Sequence, residues 1–169
     1  LVNDSVFTAE RVKSFKLASE DSDIIAILFE KEEKKKESER SDTLSQDTTN
    51  VDSIKAEIKK EGGKLLYWNL KTNKKAEFEN VTDFAMSENG AFLLFKSEFK
   101  DSIDTVAIYI ANAMDFYPKT VIHKNGYAQG LSADKTGGNF AFYYSSDTAK
   151  NKLFEIICLE TNKYSSVSL

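Results

Sequence analysis

Apolar and polar positions follow a pattern that occurs three times along the chain. Each repeat contains a strand-like segment that is apolar at nearly every position, and these segments are 24–29, 91–95 and 140–144. A strand with one face in water would instead alternate apolar and polar residues. We therefore expect both faces of these segments to be covered by other parts of the protein.

Turn residues fall at matching places in the three repeats. Clusters of Ser with acidic or amide residues precede the apolar segments at 19–23, 87–90 and 132–138. A second set of turns lies further along each repeat, at 71–74, 112–115 and 160–163. Such clusters between short apolar runs predict hairpins. Each repeat is therefore predicted to be a four-stranded antiparallel meander.

Repeated meanders with doubly buried middle strands are typical of one architecture. Four-stranded sheets that recur every forty to fifty residues or so are the blades of a β-propeller. The sequence thus predicts an all-β fold, a β-propeller fragment of about three four-stranded antiparallel blades. A β-sandwich also uses short strands at this spacing, but it would not explain why one turn recurs at one place.

The repeats divide the chain into predicted units. Residues 1–10 end a preceding blade, and three blades follow at 11–80, 81–125 and 126–169. Because the chain begins without Met and ends inside a predicted strand, we expect it to be a piece of a longer protein.

A charged insertion, 31–61, interrupts the first blade. Its front half has no apolar anchors and is expected to be mobile. Its back half places Val51, Ile54 and Ile58 on one helical face before Gly62, which predicts a short amphipathic helix. The insertion is either an arm that binds a partner or an elongated surface loop, which costs a fold little.

Composition and charge exclude several classes of partner. The net charge is −4, with basic and acidic residues mixed, so there is no basic stripe for nucleic acid. No apolar run reaches the length of a membrane helix, about eighteen residues. The single cysteine, Cys158, excludes an internal disulfide or a cysteine-based zinc cluster. We predict no cofactor and no metal.

Few side chains are candidates for chemistry. His123, the only histidine, has no second imidazole or cysteine near it in sequence and is interpreted as a surface residue. Two Ser-x-x-Lys strings, at 97–100 and 132–135, lack the helical turn that this motif needs. Cys158 is interpreted as a small buried hydrophobe. The strand aromatics are assigned to the core rather than to a binding stripe, and they are Tyr67, Trp68, Phe92, Phe95, Phe142, Tyr143 and Tyr144.

Three stretches carry a family resemblance. "RVKSFKL", "LLYWNLKTNKKAEFENVTDFAMSENGAFLLF" and "KNGYAQGLSADKTGGNFAFYYSSD" resemble the N-terminal β-propeller of prolyl oligopeptidase and dipeptidyl-peptidase family serine peptidases, particularly large versions from Bacteroidetes. The resemblance covers the chain from Arg11 onward. It implies a parent enzyme in which the propeller caps an α/β-hydrolase domain of the same chain and limits access to peptide substrates.

The catalytic motif of that family is missing from this sequence. The hydrolase domain carries a Gly-x-Ser-x-Gly nucleophile elbow, whereas the nearest string here, "GYAQG" at 126–130, has Ala at its centre. A paired-Glu helix that holds the substrate's amino terminus is also missing. We therefore assign no catalytic, cofactor-binding or metal-binding residue in this chain, and we expect the catalytic triad to lie outside it.

One compositional bias concerns localisation. Asp followed by Ser or Thr and a small or aliphatic residue resembles the acceptor for O-glycosylation of exported Bacteroidetes proteins, and it occurs at Asp4, Asp42, Asp47, Asp52, Asp101, Asp104 and Asp147. The alternative is that these pairs are ordinary turn residues. The bias favours a periplasmic or cell-surface location over the cytoplasm.

Two functions follow as hypotheses. The first is the access-gating, substrate-selecting part of a serine peptidase that hydrolyses short peptides. The second is a non-catalytic propeller that binds a protein partner through its loops, with 31–61 as the contact.

Overall fold

The computed structural model describes residues 7–19, 23–31, 59–60, 62–100, 104–147 and 151–165. These contain eleven strands and one helical turn, α1 (Asn162–Ser165). The strands are β1 (Val12–Leu17), β2 (Ile24–Phe29), β3 (Lys59–Lys60), β4 (Gly63–Asn69), β5 (Lys75–Met86), β6 (Phe92–Lys100), β7 (Thr105–Asn112), β8 (Lys119–Asn125), β9 (Tyr127–Ala133), β10 (Asn139–Ser145) and β11 (Glu155–Glu160).

Apart from β3, which pairs with β6, consecutive strands pair antiparallel within three groups, which we call blades. Blade 1 contains β1, β2, β4 and the first half of β5. Blade 2 contains the second half of β5 with β6, β7 and β8. Blade 3 contains β9, β10 and β11. The all-β, antiparallel prediction is confirmed.

One long strand belongs to two blades. The first half of β5 pairs with β4, and the half that begins at Val81 pairs with β6. The hydrogen-bonded ladder therefore runs without a break through the seven strands of blades 1 and 2, and β3 pairs with β6 beside this path. Asn80, with φ of 61°, lies where the strand leaves one blade for the next. Its side chain accepts from Gly62 N (2.9 Å) and donates to Glu98 O (3.2 Å), which fixes the crossing.

The same crossing recurs before each first strand. Arg11 (φ 57°) precedes β1, and Gly126 (φ 133°) separates β8 from β9. A Cβ at position 126 would lie 2.3 Å from Ser145 O, so only glycine fits there. Left-handed residues therefore mark the start of every blade, although the sequence pattern did not identify them.

A hydrogen bond repeats in all three blades and ties the two turns at one end. Leu70 N donates to Asp23 O at 2.7 Å in blade 1. Ala113 N donates to Ala91 O at 2.9 Å in blade 2, and Thr161 N donates to Gly138 O at 3.0 Å in blade 3. Turns that correspond in the sequence therefore occupy corresponding positions in the three blades.

The blades stack face to face. On β6, Leu93 and Phe95 belong to a core cluster shared with blade 1, while Leu94 belongs to a cluster shared with blade 3. All three side chains are at most 2% exposed. The expectation that wholly apolar strands are covered on both faces is confirmed for this strand.

Tyr67 anchors the contact between blades 1 and 2. Its ring lies 5.0 Å from the ring of Phe116, and its hydroxyl donates to Gly90 O at 2.5 Å. Burial raises the pKa of the Tyr67 phenol well above its ordinary value. Beside it, Phe78 stacks on Phe95 with ring centroids 4.4 Å apart.

Two side chains assigned to the core are on the surface. Cys158 is exposed, and Tyr143 is 45% exposed. Both predictions were wrong because the two residues lie on the face of blade 3 that points away from blade 2, and no described residue packs there. The other aromatics assigned to the core are buried or half-buried.

Two local predictions also differ from the structure. The predicted insertion helix extended to Gly62, but Lys59–Lys60 form a short strand that pairs with the end of β6. The pairing satisfies backbone groups that a helix would satisfy internally. In blade 3 the turn predicted at 160–163 continues into α1 rather than directly into a fourth strand. The charged run and the helical face at Val51, Ile54 and Ile58 lie outside the described residues.

Candidate functional site

The first strands of the three blades lie side by side and form what we call the inner-strand wall: β1, 82–86 of β5, and β9. In the described part of the chain, β1 pairs only with β2 and β9 only with β10, so each keeps an edge unpaired. Lys13 Nζ donates to Thr82 O at 3.1 Å and links β1 to β5. The strands β5 and β9 are also in contact.

The wall is polar and carries both charges. Lys13 and Lys16 are exposed on β1, and Gln129 and Ser132 are exposed on β9. Asp83 on β5 accepts from Phe84 N at 2.9 Å. Such a surface can hydrogen-bond the backbone and charged ends of an extended peptide. Among its described residues, no nucleophile is paired with a base.

At one end, the first turns of successive blades bond to each other. Ser19 Oγ donates to Glu88 O at 2.9 Å, and Asn89 Nδ2 donates to Thr136 O at 3.0 Å. Lys135 Nζ lies 4.0 Å from Glu88 Oε2. Because each turn contacts the next, these bonds fix the angle between neighbouring blades at this end.

Asp134 organises the turn of blade 3. Its carboxylate accepts from Gly138 N, Asn139 N and Asn139 Nδ2 at 2.9 to 3.0 Å. The side-chain bond from Asn139, together with backbone bonds from Gly137, Asn139 and Gly138, lowers the pKa of Asp134, although partial burial opposes the shift.

A polar cluster joins blades 2 and 3 near the other end. Lys96 is 8% exposed, and its ammonium donates to Ala128 O at 2.8 Å and pairs with Glu98 Oε1 at 2.8 Å. Tyr127 donates a short hydrogen bond to Asp104 Oδ2, and this bond raises the pKa of the phenol. The Lys152 ammonium lies 4.0 Å from the centre of the Tyr127 ring.

Comparison with solved structures identifies the architecture. The β-propeller domain of the Trilobed protease from Pyrococcus furiosus matches with a TM-score of 0.56 and 12% identity, covering 90% of this chain and 39% of that one. The Pyrococcus horikoshii acylaminoacyl peptidase matches with a TM-score of 0.50 and 11% identity. The fold is that of a β-propeller. Neither protein-family models nor curated protein sequences gave a match.

The β-propeller match concerns only part of each relative. The match spans about two fifths of the solved Trilobed protease chain. The match to the acylaminoacyl peptidase covers 86% of this chain and 19% of that one. At 12% and 11% identity, the likeness shows the fold and does not assign an activity.

The residues that the sequence analysis considered for chemistry lie apart in the propeller. His123 is exposed on β8, with its ring 6.2 Å from that of Phe99. Ser97 and Lys100 both lie in β6, a strand rather than the helical turn that the motif needs. Ser132 lies in β9 and Lys135 in the following turn. The structure brings none of these together.

Within the described ranges, no three His, Cys, Asp or Glu side chains lie close enough to hold a metal ion. No helix in this part of the chain has the length and apolarity needed to cross a membrane.

The residues that join the blades were not predicted from the sequence. Asn80 and Lys96 were hidden because a single buried polar residue in an apolar run carries no periodic signal. Asp134 lies in the predicted turn 132–138, and its role could have been found because Asp side chains often accept hydrogen bonds from nearby backbone N–H groups in turns.

Proposed function

We propose that this chain is the access-gating propeller part of a serine peptidase that acts on short peptides, with its catalytic triad outside these 169 residues. The observation that carries the proposal is the likeness of 90% of the chain to the propeller domain of a protease. The second neighbour is also a peptidase. An α/β-hydrolase domain in the same polypeptide supplies the nucleophile.

The inner-strand wall supports the gating role. Its exposed polar groups include Lys13 and Lys16 on β1 and Gln129 and Ser132 on β9, and its strand edges offer backbone donors and acceptors. An extended peptide can exchange hydrogen bonds with such edges, whereas a folded protein keeps its backbone groups paired internally. A propeller that admits substrates according to whether their backbone groups are free to hydrogen-bond needs no catalytic residue of its own.

Labelling of the parent polypeptide tests the location of the nucleophile. A fluorophosphonate probe, followed by peptide mapping, should modify one serine outside the 169 residues described by this sequence. The isolated chain should show no turnover of proline-containing chromogenic peptides. Labelling of a serine within the chain, or no labelling of the parent at all, would overturn the peptidase proposal and favour a non-catalytic binding propeller.

Digestion of substrates of different size tests the gate. The intact parent should cleave short peptides and spare a folded protein that contains the same cleavage sequence in a loop. An internally deleted parent that lacks the propeller, checked for folding by circular dichroism, should lose this size preference. Equal cleavage of both substrates by the intact parent would contradict gating.

A further inference from the structure

The charged insertion 31–61 rejoins the fold at the junction between blades 1 and 2. We call its last described residues and the two glycines at the start of β4 the return limb: 59–60 and 62–63. Although the insertion interrupts blade 1, Lys59–Lys60 pair antiparallel with the end of β6 in blade 2. The return limb therefore lends a strand to the neighbouring blade before the chain re-enters its own.

Two glycines carry the return limb through a gap that admits no side chain. A Cβ on Gly62 would overlap the backbone of Asn80 and Val81, where β5 crosses from one blade to the next. A Cβ on Gly63 would overlap the carbonyl oxygen of Phe29, at the end of β2. Neither glycine has a left-handed backbone, so the requirement for glycine at these two positions is one of space. The return limb is thus enclosed between blade 1 and the crossing.

Asn80 connects the return limb to strand β6 of blade 2. It is 6% exposed and has a φ of 61°, at the point where β5 leaves blade 1. Its side chain accepts a hydrogen bond from Gly62 N at 2.9 Å and donates one to Glu98 O at 3.2 Å. A single amide side chain therefore joins the limb and β6 at the residue where the chain changes direction.

The two ends of the junction between blades 1 and 2 are held by different contacts. At the turn end, Ser19 N and Ser19 Oγ both donate to Glu88 O, at 2.6 and 2.9 Å. At the crossing end, the exposed side chain of Lys13 adds a hydrogen bond to Thr82 O at 3.1 Å, in competition with water. Loss of the return limb would therefore leave the turn end tied and the crossing end weakly held.

We propose that the return limb is a clasp. While it is docked, blades 1 and 2 are closed at the crossing end, and when it detaches they part there about Asn80. The clasp couples the insertion to the spacing of two blades, which is a different role from a partner-binding arm or a passive loop. The junction between blades 2 and 3 should be unaffected, because the hydrogen bond from Lys96 to Ala128 O involves neither the limb nor Asn80. The proposal rests on the fold and not on the peptidase proposal.

Thiol labelling in the parent polypeptide tests the clasp. Leu65→Cys and Ile108→Cys place probes at matching positions of β4 and β7, both 0% exposed, in the clusters that join blade 1 to blade 2 and blade 2 to blade 3. Asn80→Gly tolerates the left-handed backbone but removes both side-chain hydrogen bonds. It should raise the labelling rate at position 65 by about tenfold, the effect of losing one or two hydrogen bonds, and the rate at position 108 by less than about twofold.

A second variant breaks the clasp from the other side. Gly62→Ala leaves Asn80 intact but does not fit the gap, so it should give the same pattern of labelling. Gly138→Ala, whose Cβ would meet nothing nearer than 3.4 Å, is the control and should leave both rates unchanged. An unchanged rate at position 65 in either clasp variant would overturn the proposal. So would an equal rise at both positions, which would indicate a general loss of stability.

Discussion

Glycine at the blade turns shows how single residues set the distance between blades. Gly90 and Gly137 occupy matching turn positions, with φ of 69° and 76°. A Cβ at either position would lie 2.7 to 2.8 Å from a side chain of the preceding blade, Ile24 in one case and Phe92 in the other. Because a larger residue would push the blades apart, the turn is a spacer as well as a reversal of the chain.

Substitution at neighbouring glycines tests this role. Gly137→Ala should lower the free energy of unfolding by about 2 kcal/mol, since it forces a left-handed backbone and a close contact. Gly138→Ala is the matched control, because its Cβ would meet only Asp134 Oδ2 at 3.4 Å and Thr136 Oγ1 at 3.5 Å, which are ordinary contact distances. It should change stability by less than about 0.5 kcal/mol. Urea denaturation measures both, and equal effects would contradict the spacer role.

Asp134 gives the turn of blade 3 a pH dependence. Its folded-state pKa lies below the unfolded value of about 4. The ionised carboxylate therefore contributes stability above that value, and the contribution is lost as the pH falls through the folded-state pKa. Asp134→Asn should be less stable than the wild type at neutral pH, and the difference should narrow as the pH is lowered from about 5 to about 2. A constant difference in chemical denaturation would be inconsistent with this account.

At the scale of elements, strand β6 is buried on both faces and yet contains a lysine, Lys96, whose charge needs partners. Lys96 points into the interface with blade 3, where its ammonium bonds Ala128 O and Glu98. The matching residue in blade 1 is the buried Leu28. The position therefore suits the apolar methylene groups of Lys96, and the ammonium is stabilised by Ala128 O and Glu98.

Two substitutions separate the stem from the charge. Lys96→Ala should lower the free energy of unfolding by about 2 to 3 kcal/mol, because it leaves a cavity and removes the donor to Ala128 O. Lys96→Met keeps the stem but also loses the donor, so it should cost less than Lys96→Ala, about 1 to 2 kcal/mol. Thermal and urea unfolding compare the two. A Met variant as unstable as the Ala variant would show that the ion pair, rather than the packing, stabilises the interface.

The sequence predicted the strands of the core well and the blade junctions poorly. Patterns such as "IIAILF" and "AFLLF" report burial on both faces, so β2 was found with its correct limits, whereas the predicted segment 91–95 covers only the first part of β6. The long strand β5 was divided into two predicted strands because nothing in "EFENVTDF" indicates that Asn80 continues the chain from one sheet into the next. Local residues encode the strand, whereas the crossing depends on partners distant in sequence.

Failures at the ends of the stack have a different physical cause. Tyr143 and Cys158 are apolar residues in strands, and sequence alone assigns such residues to a core. They lie on the face that no described residue covers, so their exposure depends on what packs beyond blade 3. The absence of a catalytic motif was read directly from the sequence, while the inner-strand wall became visible only when three distant strands were placed side by side.

At the scale of the whole molecule, the central question is whether blades 1 and 2 stack or lie in one plane. Their strands form a single hydrogen-bonded ladder, and connectivity alone would allow a flat eight-stranded sheet. In a flat sheet, β4 and β7 would be three strand spacings apart, about 14 Å. The bend of β5 at Asn80 instead brings the Tyr67 ring within 5.0 Å of the ring of Phe116, which lies in the connection between β7 and β8.

Nuclear Overhauser contacts between these two rings test the stacked arrangement most directly. With Tyr67 and Phe116 selectively labelled, the account predicts strong cross-peaks between their ring protons. Phe116→Leu should abolish the peaks from the Phe ring and leave the strand pairing unchanged. If a folded, fully labelled protein gives no contact between the two rings, the blades do not stack and the propeller architecture is contradicted.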